Sequence, residues 1–261
     1  MSLVRIAWSD GVARIDLARP GMQNALVPEL MDDLLAALAA ARADPSCRAV
    51  LFGAEGPSFS IGGDLRRFRR ERDGDLRAYS HRLVGQLNDA ILALVDLPQP
   101  VVVAVHGIVT GGSLGLVLAA DMVYLAPQAV FKAHYATAGF GPDGGWTALF
   151  PRLAGARRAA AALFLNRTVR ADEAVAWGLA SEVVPAHELR DKAEAAAKRI
   201  AASPAGTMRA AKRLLWGDRD RLAADLEAER QRFVELVAGA EATAGVDAFL
   251  RDFRDYPDAG D

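Results

Sequence analysis

The sequence predicts an α/β fold followed by a run of helices, and three observations support this prediction. First, apolar and polar side chains alternate through residues 3–17 on both sides of Ser9-Asp10-Gly11, which is the pattern of a β-hairpin. Second, no polar residue interrupts Val101–Val105, so this run is typical of a strand that is buried on both faces. Third, the chain is rich in alanine and helical in pattern from Trp146 almost to its end.

The other elements follow from short apolar runs, which predict strands, and from apolar residues at helical spacing, which predict helices. Further strands are predicted at Ala49–Phe52, at Met122–Leu125 and from Val130. The predicted helices are Leu26–Ala43, Asp75–Val95, Leu114–Ala120, Ala156–Leu165, Ala171–Trp177, Glu188–Ala202, Pro204–Trp216, Arg219–Val237 and Ala242–Phe253. We therefore divide the chain into an α/β core, residues 1–200, and a helical region, residues 201–261. Helices this apolar often pack across a subunit interface, although a monomer could also bury them.

Composition and charge exclude several classes of function. A chain with a net charge of −2 at pH 7 has no basic surface for nucleic acid or for a membrane. The single cysteine, Cys47, excludes an internal disulfide framework and a multi-cysteine metal site. The four histidines show no ligand spacing, so we expect no metal. The N-terminus lacks the apolar segment of a signal peptide, and His106 interrupts the apolar run that starts at Val101, so we expect a cytoplasmic protein.

Two glycine-rich loops follow two of the predicted strands. One is Phe59–Leu65, and the other is Gly107–Gly112, which leads into the helix predicted from Leu114. A glycine pair at a helix N-terminus exposes backbone N–H groups that the helix leaves unbonded. Two loops that brought such donors to one point would form an oxyanion hole, which suits a reaction through an enolate. The alternative is that these glycines only permit tight turns or close packing.

The segment Gly111–Gly115 also fits the G-x-S-x-G pattern of a nucleophile elbow, with Ser113 as the nucleophile. That motif needs the serine directly after a strand, whereas five residues separate Val105 from Gly111. His134 or His187 could serve as the base. A serine hydrolase therefore remains an alternative of a different class, beside the possibility that Ser113 is a small residue packed at a helix start.

The segment Arg66–Arg72 is strongly basic. Such runs are usually solvated faces, and the alternative is a clamp for the phosphates of a ligand.

Five pieces of the sequence together resemble the crotonase superfamily, the enoyl-CoA hydratase/isomerase family. The pieces are Arg19-Pro20 with Asn24-Ala25-Leu26, Phe59–Leu65, Val101–Asp121, Gly139–Gly155 and Ala171–Pro185, in the family's order and spacing. The resemblance implies a spiral of ββα units with a C-terminal all-helical oligomerisation region. It also implies an acyl-CoA substrate, a homotrimer or dimer of trimers, and no metal or redox cofactor.

The resemblance also assigns site residues. The N–H groups of Gly63 and Gly112 would form the oxyanion hole for the thioester carbonyl. The CoA would lie along the backbone of Asn24-Ala25 and of Ile61–Leu65, which includes Asp64. Family members often carry a basic residue just before the Asn-Ala pair, and residues 21–23 offer none. This absence puts the pyrophosphate contacts in doubt, and Arg66, Arg67 or Arg69 could replace them.

The chain departs from the family pattern at the two glutamates that family hydratases use. The matching positions are Gly115 and Tyr135, and neither can activate water. One carboxylate remains, Asp143, at a position that in isomerase-type members faces the acyl chain. A single carboxylate suits double-bond migration, and its pKa should rise in an apolar pocket. The alternative for Asp143 is a cap of a helix predicted at Gly144–Trp146.

Tyr135 could hydrogen-bond the acyl group or simply pack. The Asp143 position serves as a nucleophile in the family's aryl-CoA dehalogenases, which also carry an aromatic residue in place of Tyr135, so aryl substrates stay open. We expect enoyl-CoA isomerisation, with hydration (a lyase reaction) or a non-catalytic acyl-CoA-binding role as alternatives.

Overall fold

The computed structural model describes residues 2–252. Phe253, the predicted end of the last helix, lies outside them. The strands are β1 Val4–Ser9, β2 Val12–Leu17, β3 Ala49–Ala54, β4 Val101–Val105, β5 Ile108–Thr110, β6 Met122–Leu125, β7 Val130–Lys132, β8 Val169–Arg170 and β9 Glu182–Val183. The helices are α1 Pro28–Ala43, α2 Leu65–Arg70, α3 Leu76–Asp96, α4 Leu114–Leu118, α5 Tyr135–Ala138, α6 Phe150–Ala154, α7 Ala156–Phe164, α8 Ala171–Ala176, α9 Leu189–Ala201, α10 Ala205–Trp216, α11 Arg219–Leu236 and α12 Ala240–Asp252.

Two sheets form the frame of the molecule. The larger sheet has six strands in the order β1-β2-β3-β4-β6-β9, and the smaller has three in the order β5-β7-β8. The predicted hairpin is confirmed, because β1 and β2 pair antiparallel with Val4 opposite Leu17. From β2 to β9 the larger sheet is parallel, so the loops after β3 and β4 leave it at the same edge.

The central strand β4 is buried on both faces, as its apolar sequence predicts. Val101, Val103 and Val105 belong to the larger core cluster, whereas Val102 packs in a smaller one. The smaller cluster includes Ala193 of α9, which covers the second face of the sheet. Because both faces of this strand are covered by apolar residues, an uninterrupted apolar run suits this position.

Over the described residues, the helices predicted after Trp146 are confirmed to within two residues at each end, whereas the helix predicted at Gly144–Trp146 is wrong. Residues 144–149 form turns, and the first helix starts at Phe150, because Gly144 and Gly145 have φ values of +60° and +85°. The two short strands β8 and β9 interrupt the helices later in the chain. They pair with β7 and β6, and a pairing across the fold is invisible in local periodicity.

The C-terminal helices pack on the α/β region. Leu226 and Phe233 of α11 belong to the same core cluster as Leu87 of α3. The role in oligomerisation expected for residues 201–261 stays a prediction. Within residues 2–252, no helix combines the length and apolar character needed to cross a membrane.

Candidate active site

The two glycine-rich loops lie side by side. The Ser60 N–H donates to the Ile108 carbonyl at 3.1 Å, and the Thr110 N–H donates to the Ser60 carbonyl at 3.1 Å. Gly62 has a φ of +76°, and a Cβ atom there would lie 2.7 Å from the Thr110 carbonyl oxygen. Glycine is therefore required where the first loop crosses β5.

A cleft of about 640 Å³, its open mouth included, extends from these loops. Gly63 and Gly112 line it together with Tyr135 and Asp143. Much of the remaining wall is apolar and comes from α2, α3, α11 and the segment that follows α5. Its members include Leu65, Phe68, Leu83, Val84, Leu87, Phe140 and Phe233. Such a cleft, apolar with a few polar groups at one end, is the usual form of a small-molecule site.

Asp143 is the only carboxylate among the described residues that line this cleft. It is 6% exposed, and the Tyr135 hydroxyl donates to its Oδ1 at 2.6 Å. Burial, together with the nearby negative charge of Glu229, raises the pKa of Asp143 to about 7, although the Tyr135 hydrogen bond opposes this rise. Burial beside Asp143 also raises the pKa of Tyr135 well above its usual value, so the phenol stays a donor.

Glycines on both sides allow the Asp143 loop to lie against the start of α4. A Cβ atom on residue 112 would lie 2.9 Å from Asp143 Oδ1, and one on residue 144 would lie 2.2 Å from the Gly112 carbonyl oxygen. The indole Nε1 of Trp146 donates to the Gly111 carbonyl at 2.8 Å and ties the two segments together.

The same packing leaves no space for a side chain at position 115, where family hydratases carry a glutamate. A Cβ atom on residue 115 would lie 2.3 Å from the Gly144 carbonyl oxygen and 2.5 Å from a side-chain carbon of Ile91. The alternative that Asp143 caps a helix is wrong, because its segment is a turn and its carboxylate accepts from Tyr135 instead.

Sequence reasoning missed Glu229, which lies on α11 behind the Asp143 loop. It is 4% exposed, and its carboxylate accepts hydrogen bonds from the backbone of Gly145, Thr147 and Ala148. One signal was available. Glu229 follows Leu222 and Leu226 at helical spacing, so an acidic residue stands in the apolar stripe of this helix.

Asn24, Ala25 and Asp64, three of the five residues whose backbone is predicted to contact CoA, are not among the residues that line this cleft, and that contact stays a prediction. Asn24 is fully buried, and its amide donates to the carbonyls of Glu55 and Ser58 at 2.8 and 3.0 Å. Asp64 is 1% exposed, caps α2 and pairs with Arg19 at 3.1 Å. Ala25 is also fully buried.

Ile61 and Leu65, the other two, do line the cleft. In the basic segment, Arg67 pairs with Glu71 at 2.6 Å and Arg72 with Asp247 at 2.8 Å, whereas Arg69 is exposed. A contact of this segment with CoA stays a prediction.

The serine-hydrolase alternative finds no support in the geometry of Ser113. This residue is fully buried in a 3₁₀ turn, and its hydroxyl donates to the Thr110 carbonyl at 2.7 Å. Neither His134 nor His187 hydrogen-bonds to it; burial lowers the pKa of His134 to about 4, and His187 is exposed beside Glu188. Ser113 is therefore a packed residue at a helix start.

Comparisons with known proteins agree with this architecture. The sequence model of the enoyl-CoA hydratase/isomerase family matches residues 7–255, and the chain belongs to that family. The structure superposes on enoyl-CoA hydratase from Bacillus halodurans with a TM-score of 0.89, at 24% identity over 95% of this chain and 100% of the other. It superposes on an enoyl-CoA hydratase/isomerase from Pseudoalteromonas atlantica T6c with a TM-score of 0.84, at 28% identity over 96% of this chain and 97% of the other. The predicted crotonase fold is confirmed.

Curated relatives carry several activities. A probable enoyl-CoA hydratase of Rhodobacter capsulatus is 33% identical, over 95% of this chain and 94% of its own length. 4-Chlorobenzoyl coenzyme A dehalogenase-2 of an Arthrobacter species is 30% identical, over 77% of this chain and 73% of its own length. 1,2-Epoxyphenylacetyl-CoA isomerase of Escherichia coli is 29% identical, over 92% of each chain. The family acts on CoA thioesters without a further cofactor, and its members differ in reaction.

Proposed function

We propose that this protein is an enoyl-CoA isomerase that moves a double bond through a thioester dienolate, with Asp143 as acid and base. The observation that carries the proposal is that Asp143 supplies the single carboxylate among the described residues that line the cleft. Hydration by two carboxylates would need a second one, and the position of the first family glutamate, Gly115, has no room for a side chain. Glu229 is near, but its oxygens are occupied by donors of the turn.

The proposed reaction needs one base that works twice. Asp143 removes a proton from C2 of a 3-enoyl-CoA, and the electrons move onto the thioester oxygen. The N–H groups of Gly63 and Gly112 stabilise that oxygen, and removal of one such donor typically costs about 2.7–4 kcal/mol. The protonated Asp143 then returns the proton to C4, so the product is the 2-enoyl isomer with unchanged mass. A carboxyl with a pKa of about 7 suits both steps near neutral pH.

The substitution Asp143→Asn tests this role. Purified protein is given 3-enoyl-CoA and 2-enoyl-CoA, and the products are resolved by chromatography and mass. The wild type should isomerise the 3-enoyl thioester, and the Asn variant should lose about 10²–10⁴-fold in kcat. The kcat/KM of the wild type should rise with pH and level off above about pH 7, because the base is the ionised form. The matched control is Asp220→Asn, since the side chain of Asp220 is 99% exposed.

Other outcomes would overturn the proposal. Addition of water to 2-enoyl-CoA would favour a hydratase, and full activity of the Asn variant would remove Asp143 from the mechanism. Binding of CoA thioesters without any reaction would favour a non-catalytic acyl-CoA-binding protein.

A second candidate is nucleophilic displacement on an aryl-CoA. The supporting observation is the aromatic cluster at the cleft, in which the rings of Phe68, Phe140 and Phe233 lie within 5.9 Å of one another, centre to centre. In this reaction the Asp143 carboxylate would bond to the ring carbon, chloride would leave, and water would cleave the resulting ester. Chloride release from a 4-chlorobenzoyl-CoA, lost in Asp143→Asn, would favour this candidate over the isomerase.

We also propose that the chain forms a homotrimer or a dimer of trimers. Phe164 and Leu165 at the end of α7 are 80% and 76% exposed, and Leu214 and Leu215 on α10 are 82% and 81% exposed. Large apolar side chains with this much exposure indicate a surface that another protein chain covers. Light scattering after size exclusion should give a multiple of three chains, and the double variant Leu214→Ser with Leu215→Ser should reduce it. A cytoplasmic location also stays a prediction.

A further inference from the structure

Glu229 is buried in an apolar helix face that a leucine would fill at lower cost. It is 4% exposed and shares the face of α11 with Leu226 and Phe233. A carboxylate in such a place is destabilising unless hydrogen bonds compensate for the loss of water. Its retention there points to a function for the charge or for the hydrogen bonds that it accepts.

Four donors converge on this carboxylate. The N–H of Gly145 donates to Oε2 at 2.8 Å. The N–H and the hydroxyl of Thr147 donate to Oε1, each at 2.6 Å, and the N–H of Ala148 donates to Oε1 at 2.9 Å. An ionised carboxylate has about two lone-pair sites on each oxygen; three of these donors converge on Oε1, and one reaches Oε2. Burial raises the pKa of Glu229, and the hydrogen bonds from the turn oppose that rise because they favour the ionised carboxylate.

All four donors belong to the turn that directly follows Asp143. Residues 144–149 are turn, so their N–H groups lack the partners that a helix would supply. The Glu229 carboxylate accepts hydrogen bonds from three of these N–H groups, on the side of the turn away from the cleft. The position of Asp143 against Gly112 depends on this turn, because Gly144 packs directly on Gly112.

We propose that Glu229 is a positioning residue for Asp143: its carboxylate holds residues 145–148 in the conformation that places Asp143 against Gly112. The negative charge of Glu229 also opposes ionisation of Asp143. The proposal deepens the proposed function and depends on it only for the view that Asp143 reacts. Held this way, the N–H groups of the turn point at Glu229 and are unavailable to stabilise an ionised Asp143. Both effects keep Asp143 protonated to a higher pH than an ordinary carboxyl.

The other charged groups nearby are already paired. On the outer side of Glu229, Arg221 and Arg152 pair with Asp225, and Arg232 pairs with Glu235. On the side of Asp143, the titratable groups among the described residues that line the cleft are Tyr135 of α5, which donates and stays neutral, and His134, whose pKa burial lowers to about 4. The residues of α3 that face the cleft, Leu83, Val84 and Leu87, carry no charge.

The test compares Glu229→Gln with Glu235→Gln, an exposed glutamate on the same helix. The Gln variant at 229 keeps the size but removes the charge, and its amide N–H faces the donors of the turn. We expect kcat to fall about 10- to 100-fold with KM changed less than about threefold, because the effect acts through the general base. We also expect the acid limb of the pH profile to move to lower pH, and the control to match the wild type.

A readout that does not need turnover separates this inference from the proposed function. The infrared band of the protonated Asp143 carboxyl, assigned by its loss in Asp143→Asn, is titrated in each variant. In Glu229→Gln this titration should move to lower pH even if Asp143 proves not to be catalytic. A folded Glu229→Gln protein with unchanged titration and kcat within twofold of wild type would overturn the inference.

Thr147→Val keeps the inference testable if the Gln variant fails to fold. It removes one donor and leaves the charge of Glu229 less compensated, so the titration of Asp143 should move to higher pH. A purely structural role of Glu229 would slow both variants without moving the titration, and that result would also overturn the inference.

Discussion

Charged side chains are buried at two places in the molecule, and the two places differ in how many partners surround the charge. At the N-terminal end of β4, the Lys212 ammonium, 4% exposed, contacts Asp121 Oδ2 at 3.0 Å and the carbonyls of Leu94 and Gln99 at 2.8 and 3.2 Å. Asp121 also accepts from the Trp216 indole at 2.7 Å and from the Val101 N–H at 2.7 Å. Every donor of the ammonium has a partner.

At the cleft, by contrast, Asp143 receives one side-chain hydrogen bond from the residues that the structure describes, that of Tyr135, and none of those residues places a cation beside it. The difference indicates what each place is for. The Lys212–Asp121 pair closes a junction between α10 and the sheet, and it has no capacity left for a ligand. Asp143 is destabilised in its ionised form, which is the condition of a group that must take up a proton near neutral pH.

The largest effect is expected when the satisfied pair is broken by Lys212→Met. Asp121 would then be a buried carboxylate without its cation, and we expect a loss of about 3–5 kcal/mol in the free energy of unfolding. Urea denaturation measures this loss. Lys192→Met is the control, because Lys192 pairs with Glu182 on the surface at 47% exposure on both sides. Loss below about 1 kcal/mol at Lys212 would contradict the structural role.

Asp143→Asn should have the opposite effect on stability. The pKa of Asp143 in the folded protein, about 7, lies above the ordinary aspartate value of 3.8, so between these pH values the folded protein binds more protons than the unfolded chain. The stability contributed by this group therefore falls as pH rises through that window. We expect the Asn variant to be more stable than wild type by about 4 kcal/mol at pH 8, and by little at pH 4.

Thermal unfolding of the Asn variant and the wild type at both pH values checks this expectation. If the Asn variant gained nothing at pH 8, the ionised Asp143 would be no more costly than a solvated carboxylate, and the contrast with Lys212 would fail.

Tyr135→Phe tests the hydrogen bond that Asp143 accepts from the Tyr135 hydroxyl. The Tyr135 hydrogen bond favours the ionised form of Asp143, so its loss should raise the pKa of Asp143 further. We expect kcat/KM to fall about 10-fold at pH 7, or about 1.4 kcal/mol, and to recover as pH rises. A pH-rate profile measures both. A pH-independent loss would mean that Tyr135 contacts the substrate instead.

The fold was largely predictable, because periodicity identifies strands and helices wherever local pattern and tertiary pairing agree. The run Val101–Val105 and the hairpin Val4–Leu17 are such cases. The two-residue strands β8 and β9 were not predictable, since their extended conformation depends on neighbours that are distant in the chain. The helix predicted at Gly144–Trp146 failed because two glycines there adopt positive φ.

The candidate site was predictable only in part. The carboxylate Asp143 and the glycines 63 and 112 were found from motifs, and the structure lines one cleft with them. Asn24 and Asp64 were assigned to the substrate, but their side chains hold the loops, a distinction that depends on the partner each polar group finds. Glu229 was missed because it lies 86 residues after Asp143, and sequence spacing alone cannot place an anchor behind a turn.

The smallest effect is expected at Ser113, whose hydroxyl resembles Lys212 in being buried and satisfied. It donates to the Thr110 carbonyl at 2.7 Å and lies 3.3 Å from the Ser60 carbonyl. Ser113→Ala removes one hydrogen bond between the glycine loops, so we expect a loss of about 1 kcal/mol in stability. The activity on 3-enoyl-CoA should stay within about twofold, because the hydroxyl faces carbonyl oxygens and has no base beside it. A different result would contradict this expectation. If neither protein isomerised 3-enoyl-CoA, and if the wild type hydrolysed a thioester that Ser113→Ala did not, Ser113 would be a reacting group.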